Sequence, residues 1–392
     1  MNKKTIHEYC TGCGLCHSLQ GSLIDLDEKG FPRVKEESIC DLSFFKSICP
    51  SSSYREKANH GIWGIVDYSF VGYSYNSSVR FKASSGGALT ALSLYLLEKK
   101  IVDGIIHTTF DPNDPTKTIT VISRTKDDVI NRCGSRYSIS SPLTDILQIC
   151  SSNEKYAFIG KPCDVMALKK AMGENGVLSS SIAILLSFFC AGEPSQGAQL
   201  KLLDAMGCKK DECEQITYRG NGWPGFTTVQ KKDGSLCKLE YKEAWGKHLG
   251  RDIRKSCRFC LDGTGDYADI VCADYWYLDS CGLPDFSEHA GRNIIISRNP
   301  TSSVLLRNAL AEKYIIKEND DSELLSRLKE IQPGQFKRKC TMHSMLWAMR
   351  LFNKTIPDYG SSYLRRYARN IGMITRIKFF LGTIKRIVKN KI

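Results

Sequence analysis

Apolar residues alternate between two patterns through the middle of the chain. Short apolar runs, including IVDGIIHTTF, TITVISRT, ADIVCADYW and RNIIISRN, lie between polar or glycine-containing segments, which predicts strands. SSGGALTALSLYLLE instead places leucines three and four residues apart, which predicts a helix. KYAFIGKPCDVMALKKAMG and SSSIAILLSFFCAGEPSQGAQLKLLDAMG each predict a strand, a tight turn and a helix. This alternation predicts an α/β (α+β) fold with some parallel strands.

Other segments refine this picture. SLIDLDEKGFPRV predicts two short strands around an Asp-Glu-Lys-Gly turn, and residues 214–256 favour further β-structure with turns at RGNGWPG and KKDGS. The run IAILLSFFCAG is too short to span a bilayer and predicts a buried strand of a parallel sheet. No apolar run follows MNKKTIHEYC, so we expect no signal peptide and a cytoplasmic protein.

Length and charge suggest several units and a distinct tail. The 392 residues predict segments at 1–60, 61–150, 151–340 and 341–392, the last a helical basic tail. The net charge is +13, but residues 363–392 carry nine Lys and Arg and no acid, which leaves +4 for the rest. A nearly balanced body argues against a nucleic-acid partner.

The tail itself predicts an amphipathic basic helix. Basic residues lie mostly between apolar residues that recur at three- and four-residue gaps: Ile371, Ile374, Ile377, Leu381, Ile384 and Val388. Such helices bind anionic membrane surfaces, so peripheral membrane contact is one interpretation. The alternative is a helix that packs on the body through its apolar stripe.

The N-terminal cysteines are spaced like ligands of a 4Fe–4S cluster. Cys10, Cys13 and Cys16 match the start of the bacterial ferredoxin run, and Gly12 and Gly14 allow the backbone to approach the sulfurs. The fourth ligand is Cys40 or Cys49, and Cys49 is favoured because a proline follows it. A zinc knot or buried thiols are the alternatives.

Three later motifs suggest a second site, for a bound anion and a cofactor or metal centre. SSGG, residues 84–87, opens a helix whose free N–H groups attract anions, with Ser84 and Ser85 as helix caps or phosphate ligands. Cys163 and Cys190 each follow a predicted strand, and Cys257 and Cys260 form a C-x2-C pair. Lys161, Arg258 and Lys255 could offset thiolate charge. We expect structural roles for the other cysteines: 40, 133, 150, 208, 213, 237, 272, 281 and 340.

These segments resemble the coenzyme F420 hydrogenase/dehydrogenase beta-subunit family, and most closely its bacterial branch associated with exopolysaccharide genes. The resemblance extends over residues 9–300 and rests on YCTGCGLC, ICP, SSGGALTALSLYLLE, GSRYS, FIGKPCDVMALKK, FFCAGEPS, YRGNGWPG, CRFCLDGTGDYADIVCADYW and GRNIIISRN. It implies a ferredoxin-like iron–sulfur module at the N-terminus, followed by a mixed-sheet flavin-binding domain.

The resemblance also implies cofactors and their ligands. It implies two 4Fe–4S clusters and one FAD, the second cluster being held by Cys163, Cys190, Cys257 and Cys260. Cys272 is a possible alternative ligand, since relatives often carry another residue there. The implied flavin contacts are Ser84, Ser85, Gly86, Gly87, Ser135, Arg136 and Tyr137 with Gly134 in the same loop, and Lys161. Tyr137 and Lys161 are candidates for proton supply, and no catalytic residue is assigned.

The implied activity is an oxidoreductase that passes electrons from ferredoxin or a similar donor, or from coenzyme F420, through the clusters to FAD. The substrate would be a small molecule or a glycan precursor, with a role in polysaccharide biosynthesis at the inner face of the membrane. Two alternatives stay open: a non-catalytic electron-carrier subunit of a larger complex, and a zinc-stabilised nucleic-acid-binding protein.

Overall fold

A computed structural model describes residues 2–53, 61–318, 323–357, 359 and 361–389 of the chain. The strands within these ranges are β1 (Ile24–Leu26), β2 (Pro32–Val34), β3 (Tyr68–Ser74), β4 (Gly104–Asp111), β5 (Asp114–Ser123), β6 (Tyr156–Ile159), β7 (Ile182–Phe188), β8 (Cys213–Thr217), β9 (Phe226–Lys231), β10 (Leu236–Glu240), β11 (Ile270–Asp274), β12 (Asn293–Ser297) and β13 (Ile315–Lys317).

The α-helices of the same ranges are α1 (Lys3–Glu8), α2 (Leu15–Gln20), α3 (Leu42–Ile48), α4 (Pro50–Ser53), α5 (Ser77–Lys82), α6 (Ala88–Glu98), α7 (Lys126–Asn131), α8 (Ile146–Ile149), α9 (Pro162–Met172), α10 (Gly176–Ser181), α11 (Gln196–Ala205), α12 (Tyr241–Glu243), α13 (Lys255–Arg258), α14 (Pro300–Ala311), α15 (Leu324–Ile331), α16 (Pro333–Leu351), α17 (Ser361–Ala368) and α18 (Met373–Val388). No helix in the described ranges has the length and apolarity needed to cross a membrane.

An eight-stranded mixed sheet organises the molecule, in the order β13-β3-β12-β11-β7-β6-β4-β5. The pairs β4–β6, β6–β7 and β7–β11 are parallel, and the outer pairs are antiparallel. The predicted α/β class is therefore confirmed as a mixed α/β fold with a large mixed sheet. The predicted parallel strand in IAILLSFFCAG is β7.

Both faces of this sheet are covered, which explains its nearly continuous apolar strands. Ile105 of β4 points into one core, which also contains Leu92 of α6 and Leu306 of α14. The adjacent Ile106 points into a second core, which contains Val165 and other residues of α9. Neighbouring strand residues thus face opposite cores, as the pleat of a strand requires.

Smaller units lie outside the large sheet. β1 and β2 form the predicted N-terminal hairpin, and a small core around Ile6, Val34 and Phe45 packs it on α1 and α3. β8, β9 and β10 form a three-stranded antiparallel sheet, so the predicted β-structure of residues 214–256 is confirmed only up to Glu240. Residues 241–256 are helical or irregular instead. At the C-terminal end, α16 packs against α17 and α18.

Candidate functional site

The four N-terminal cysteines of the predicted cluster lie together. Cys13 precedes the N-cap of α2, Cys16 lies in the first turn of that helix, and Cys49 is the C-cap of α3. Burial, followed by the charges of neighbouring cysteines, raises the pKa of Cys16 to about 12 and that of Cys49 to about 11. The charges of Cys10 and Cys49 both contribute to the raised pKa of Cys16, and the charge of Cys49 also contributes to the raised pKa of Cys13. The alternative ligand, Cys40, is exposed and donates its thiol to the Glu37 carbonyl instead.

The glycines between these cysteines have a role that the sequence predicted only in part. Gly12 adopts a φ of 71°, and its N–H donates to Cys10 Sγ at 3.4 Å. A Cβ at Gly12 would lie 2.7 Å from the guanidinium of Arg254. Gly12 therefore admits a buried cation, in addition to letting the backbone approach a sulfur.

The second predicted set, Cys163, Cys190, Cys257 and Cys260, is also brought together. Cys163 lies in the first turn of α9, Cys190 follows β7, and the C-x2-C pair spans the end of α13. Their charges interact: Cys190 and Cys260 raise the pKa of Cys163, and Cys257 raises that of Cys190, although burial is the largest cause in each case. Burial alone raises the pKa of Cys272, so this cysteine lies outside the group.

The donor chemistry of both groups suits an iron–sulfur cluster, for which four thiolates are the usual ligands. Across the described residues, no group of three or more His, Cys, Asp or Glu side chains is placed to hold a metal ion. A cubane presents four separate iron atoms to its four thiolates, so its ligands do not have to converge on a single ion.

Cations lie beside the second group, though not all of those expected. Burial raises the pKa of Cys190 and Cys260, and the charge of Arg338, which the sequence analysis missed, partly opposes that rise. Arg338 also donates to the Cys190 carbonyl at 2.9 Å. The charge of Lys161 favours the thiolate form of Cys163, as predicted. The thiolate charge of Cys257 likewise favours the charged form of Arg258. Lys255 was expected here, but it pairs with Glu8 and lies over the Tyr9 ring.

A buried ionic network connects the two thiol groups. The Glu193 carboxylate accepts hydrogen bonds from Arg254 at 2.7 Å and pairs with Lys161 at 3.1 Å. Burial raises the pKa of Glu193, but these two cations outweigh it and hold the pKa below its usual value. Arg254 also donates to the carbonyls of Cys10 and Pro32, at 3.3 and 2.9 Å.

Two members of this region interact with both thiol groups. The thiolate charges of Cys10 and Cys257 both favour the charged form of the Arg254 guanidinium. The charge of the Asp164 carboxylate contributes to the raised pKa of Cys13 in the first group and of Cys163 in the second. The two groups are therefore near neighbours across one ionic network.

A cavity of about 320 Å³ opens beside the second group. Its volume is in the usual range for small-molecule sites. It is lined by seven of the eight predicted flavin-binding residues and by Cys190: Ser84, Ser85, Gly87, Ser135, Arg136, Tyr137 and Lys161. The eighth, Gly86, does not line it. A Cβ there would lie 2.7 Å from Asn293 Oδ1, so Gly86 is needed for packing.

The serines of SSGG do not cap the helix that follows, which corrects one interpretation of that motif. Gly87 is the N-cap of α6 and makes no side-chain cap bond. Ser84 Oγ accepts from the backbone N–H of Ser135 at 2.8 Å, and Ser85 Oγ donates to the Arg292 carbonyl at 2.8 Å. Ser84 therefore ties the SSGG turn to the Ser135 loop and forms one continuous cavity wall.

Arg136 is an unusual cation on this wall. Its Nε atom is buried without a hydrogen-bond partner, and no carboxylate of the described residues lies within ion-pair distance. Burial lowers the pKa of its guanidinium below the usual value. The side chain as a whole is partly buried, and its Nη1 donates to the Ser135 carbonyl at 3.3 Å. A cavity-lining guanidinium with an unpartnered Nε fits an anionic ligand such as a phosphate, since Arg binds phosphate with two parallel hydrogen bonds.

Another part of the lining is an aromatic wall, and sequence reasoning found only its Tyr137. Tyr241 and Trp276 stack with ring centroids 6.0 Å apart, and Tyr137 lies 5.0 Å from Trp245. Arg219 lies over the Tyr241 ring and is held by Asp274 through hydrogen bonds of 2.9 and 3.1 Å. The available signal was that Asp274 is the last residue of β11 and Trp276 follows two residues later, at the end of a parallel strand where ligands bind.

Comparison with known proteins connects this geometry to a family. Residues 69–148 match the N-terminal part, and residues 153–323 the C-terminal part, of the coenzyme F420 hydrogenase/dehydrogenase beta subunit. The coenzyme F420 hydrogenase subunit beta of Methanococcus voltae is 26% identical over 260 residues, which are 64% of this chain and 81% of that protein. The F420-dependent formate dehydrogenase subunit beta of Methanocaldococcus jannaschii is 21% identical, over 71% of each chain.

A solved structure supports the same fold. A chain of the F420-reducing NiFe hydrogenase complex from Methanosarcina barkeri superposes with a TM-score of 0.56 at 20% identity, covering 78% of this chain and 99% of that chain. The branch associated with exopolysaccharide genes and the three borders between the four predicted segments stay predictions. The two matched segments together cover more than half of the sequence, and this chain belongs to the coenzyme F420 hydrogenase/dehydrogenase beta-subunit family.

Proposed function

We propose that the chain is an iron–sulfur flavoprotein oxidoreductase with two 4Fe–4S clusters and one FAD. The observation that carries this proposal is the position of Cys190. This residue belongs to the second thiol group and also lines the cavity shared by the predicted flavin-binding residues. A cluster held there would lie beside the flavin. When bound, these groups supply one-electron transfer and hydride transfer.

The chain's own residues would hold and orient these groups. Cys10, Cys13, Cys16 and Cys49 would hold one cluster, and Cys163, Cys190, Cys257 and Cys260 the other. Arg136 would bind a phosphate of the FAD, because its Nε lacks a partner inside the protein. The aromatic wall of Tyr241 and Trp276 would exclude water and pack against a flat ring.

The ionic network supports electron transfer between the two thiol groups. Arg254 and Asp164 each interact with both groups, so two clusters held there would be close neighbours. The relatives are named as F420-dependent hydrogenase and formate dehydrogenase subunits. We therefore propose ferredoxin, a similar carrier or coenzyme F420 as the electron donor. A partner subunit and a small-molecule or glycan-precursor substrate complete the proposal.

The proposal is tested by anaerobic purification of the full chain, with iron, sulfide, zinc and flavin analysis and a visible spectrum. We expect about eight irons and one FAD per chain, because two cubanes contain four irons each. Zinc without iron, sulfide or flavin would overturn the proposal.

Matched cysteine variants test the ligand sets. Cys49→Ser should lower the iron content to about four per chain, because one cluster loses a ligand. Cys257→Ser should do the same for the second cluster. Cys40→Ser and Cys281→Ser are the controls, since both residues are exposed and lie outside the two groups. If the Cys40 variant loses iron and the Cys49 variant does not, the ligand assignment is wrong.

A further inference from the structure

The basic helix α18 packs on the body through a face other than the one its sequence suggested. Thr383 and Ile387 are its buried residues, and Ile387 and Phe379 join a core with Met342 and Met349 of α16. The predicted alternative, in which the helix packs through its apolar stripe, is therefore wrong for most of that stripe.

Most of the apolar stripe faces solvent instead. Ile374, Ile377, Leu381 and Val388 are 85%, 51%, 56% and 68% exposed. Their spacing of three, four and seven residues places them on one side of the helix. This stripe runs for about 21 Å, at 1.5 Å per residue. On α16, the packing partner of α18, Trp347 and Leu351 are also exposed, by 54% and 66%.

Lysines accompany the stripe, and they lack counter-charges. Lys378, Lys385 and Lys389 are exposed, and at 100° per residue all three lie along one edge of the stripe. No carboxylate in the described part of the chain forms an ion pair with them. Residues 363–392 contain nine Lys and Arg and no acidic residue. This surface therefore attracts anions while offering apolar side chains for burial.

We propose that this face of α18 docks on the surface of an anionic lipid bilayer, with the stripe among the acyl chains and the lysines at the headgroups. An apolar stripe edged by lysines is the arrangement found in helices that lie in a membrane interface. Nucleic acid would satisfy the lysines but would leave the stripe exposed. The proposal goes beyond the proposed function, and its test does not depend on iron, flavin or turnover.

The test is co-sedimentation of the full chain with vesicles of phosphatidylcholine, with and without phosphatidylglycerol. We expect binding only with phosphatidylglycerol, weakened by salt. The triple variant Ile374→Ser, Ile377→Ser, Leu381→Ser should bind at least about tenfold more weakly. Its control replaces three leucines of similar exposure elsewhere with serine and should bind normally: Leu26, Leu236 and Leu283.

A second variant separates charge from apolar burial. Replacing Lys378, Lys385 and Lys389 with glutamine should weaken binding about a hundredfold, because each lysine near an anionic surface contributes about one factor of five. The control replaces three exposed lysines of the body with glutamine and should bind normally: Lys126, Lys201 and Lys232. Unchanged binding of either α18 variant would overturn the proposal. So would a chain that binds RNA or dimerises through this face without binding the vesicles.

Discussion

Arg254 provides the sharpest test of how the N-terminal segment is held to the body. Its guanidinium is fully buried, pairs with Glu193 at 2.6 Å and lies over the Phe31 ring. It also donates to the carbonyls of Cys10 and Pro32. The variant Arg254→Met keeps an unbranched apolar side chain in this place and removes the charge, the guanidinium over Phe31 and every one of these hydrogen bonds.

The expected loss follows from burial. Both side chains of the Arg254–Glu193 pair are 2% exposed, so removal of the arginine leaves a buried carboxylate whose remaining cation, Lys161, is shared with Asp164. Breaking a buried ion pair in this way costs about 3–5 kcal/mol. We therefore expect Arg254→Met to lower the free energy of unfolding by about that amount.

The chain contains a matched control on its surface. Arg124 pairs with Glu154 through two hydrogen bonds, but these side chains are 44% and 34% exposed. Arg124→Met should therefore cost less than about 1 kcal/mol. Urea denaturation of the two variants and of the parent chain, prepared in the same way, measures both values.

A double variant isolates the cause of the loss. With Arg254 gone, Lys161 faces two buried carboxylates, Glu193 and Asp164, and adding Glu193→Gln to Arg254→Met removes the excess negative charge and should restore at least about 1 kcal/mol. The reasoning would be refuted if Arg254→Met cost no more than Arg124→Met. It would also be refuted if the double variant were less stable than Arg254→Met alone.

Three further predictions concern the site and the core. Arg136→Gln should weaken flavin binding at least about tenfold in a fluorescence titration, whereas Arg132→Gln should not, because Arg132 is paired with Asp128. Arg338→Met should lower the reduction potential of the second cluster by roughly tens of millivolts in an EPR-monitored titration, because it removes a cation beside Cys190 and Cys260; an unchanged potential would contradict this. Leu306→Ala should cost about 2–5 kcal/mol in urea, and Val304→Ala, on the exposed side of α14, less than about 0.5 kcal/mol.

Features with a local signature were predictable from the sequence. The central strands are continuous apolar runs because both faces of the sheet are covered, and such runs are visible without a structure. The spacing of Cys10, Cys13 and Cys16 is also local. Cys49 could be preferred over Cys40 because of the proline that follows it.

Features that depend on distant pairs were not predictable. Glu193 and Arg254 are 61 residues apart, and neither lies in a pattern that marks it as buried. The aromatic wall combines residues from three separate segments, around Tyr137, Tyr241 and Trp276. For α18, the spacing predicted an amphipathic helix, but a basic helix with Phe379, Thr383 and Ile387 on another side has a second surface available for packing.

The second thiol group draws its members from three separate parts of the chain: the start of α9, the end of β7 and the end of α13. A cluster bound to all four would therefore act as a covalent brace between segments about a hundred residues apart in sequence. Such a brace restricts the unfolded chain as a long-range cross-link does. Iron supply would then govern how long the protein survives in a cell as well as whether it is active. We expect the iron-free chain to be cut faster by proteases than the loaded chain.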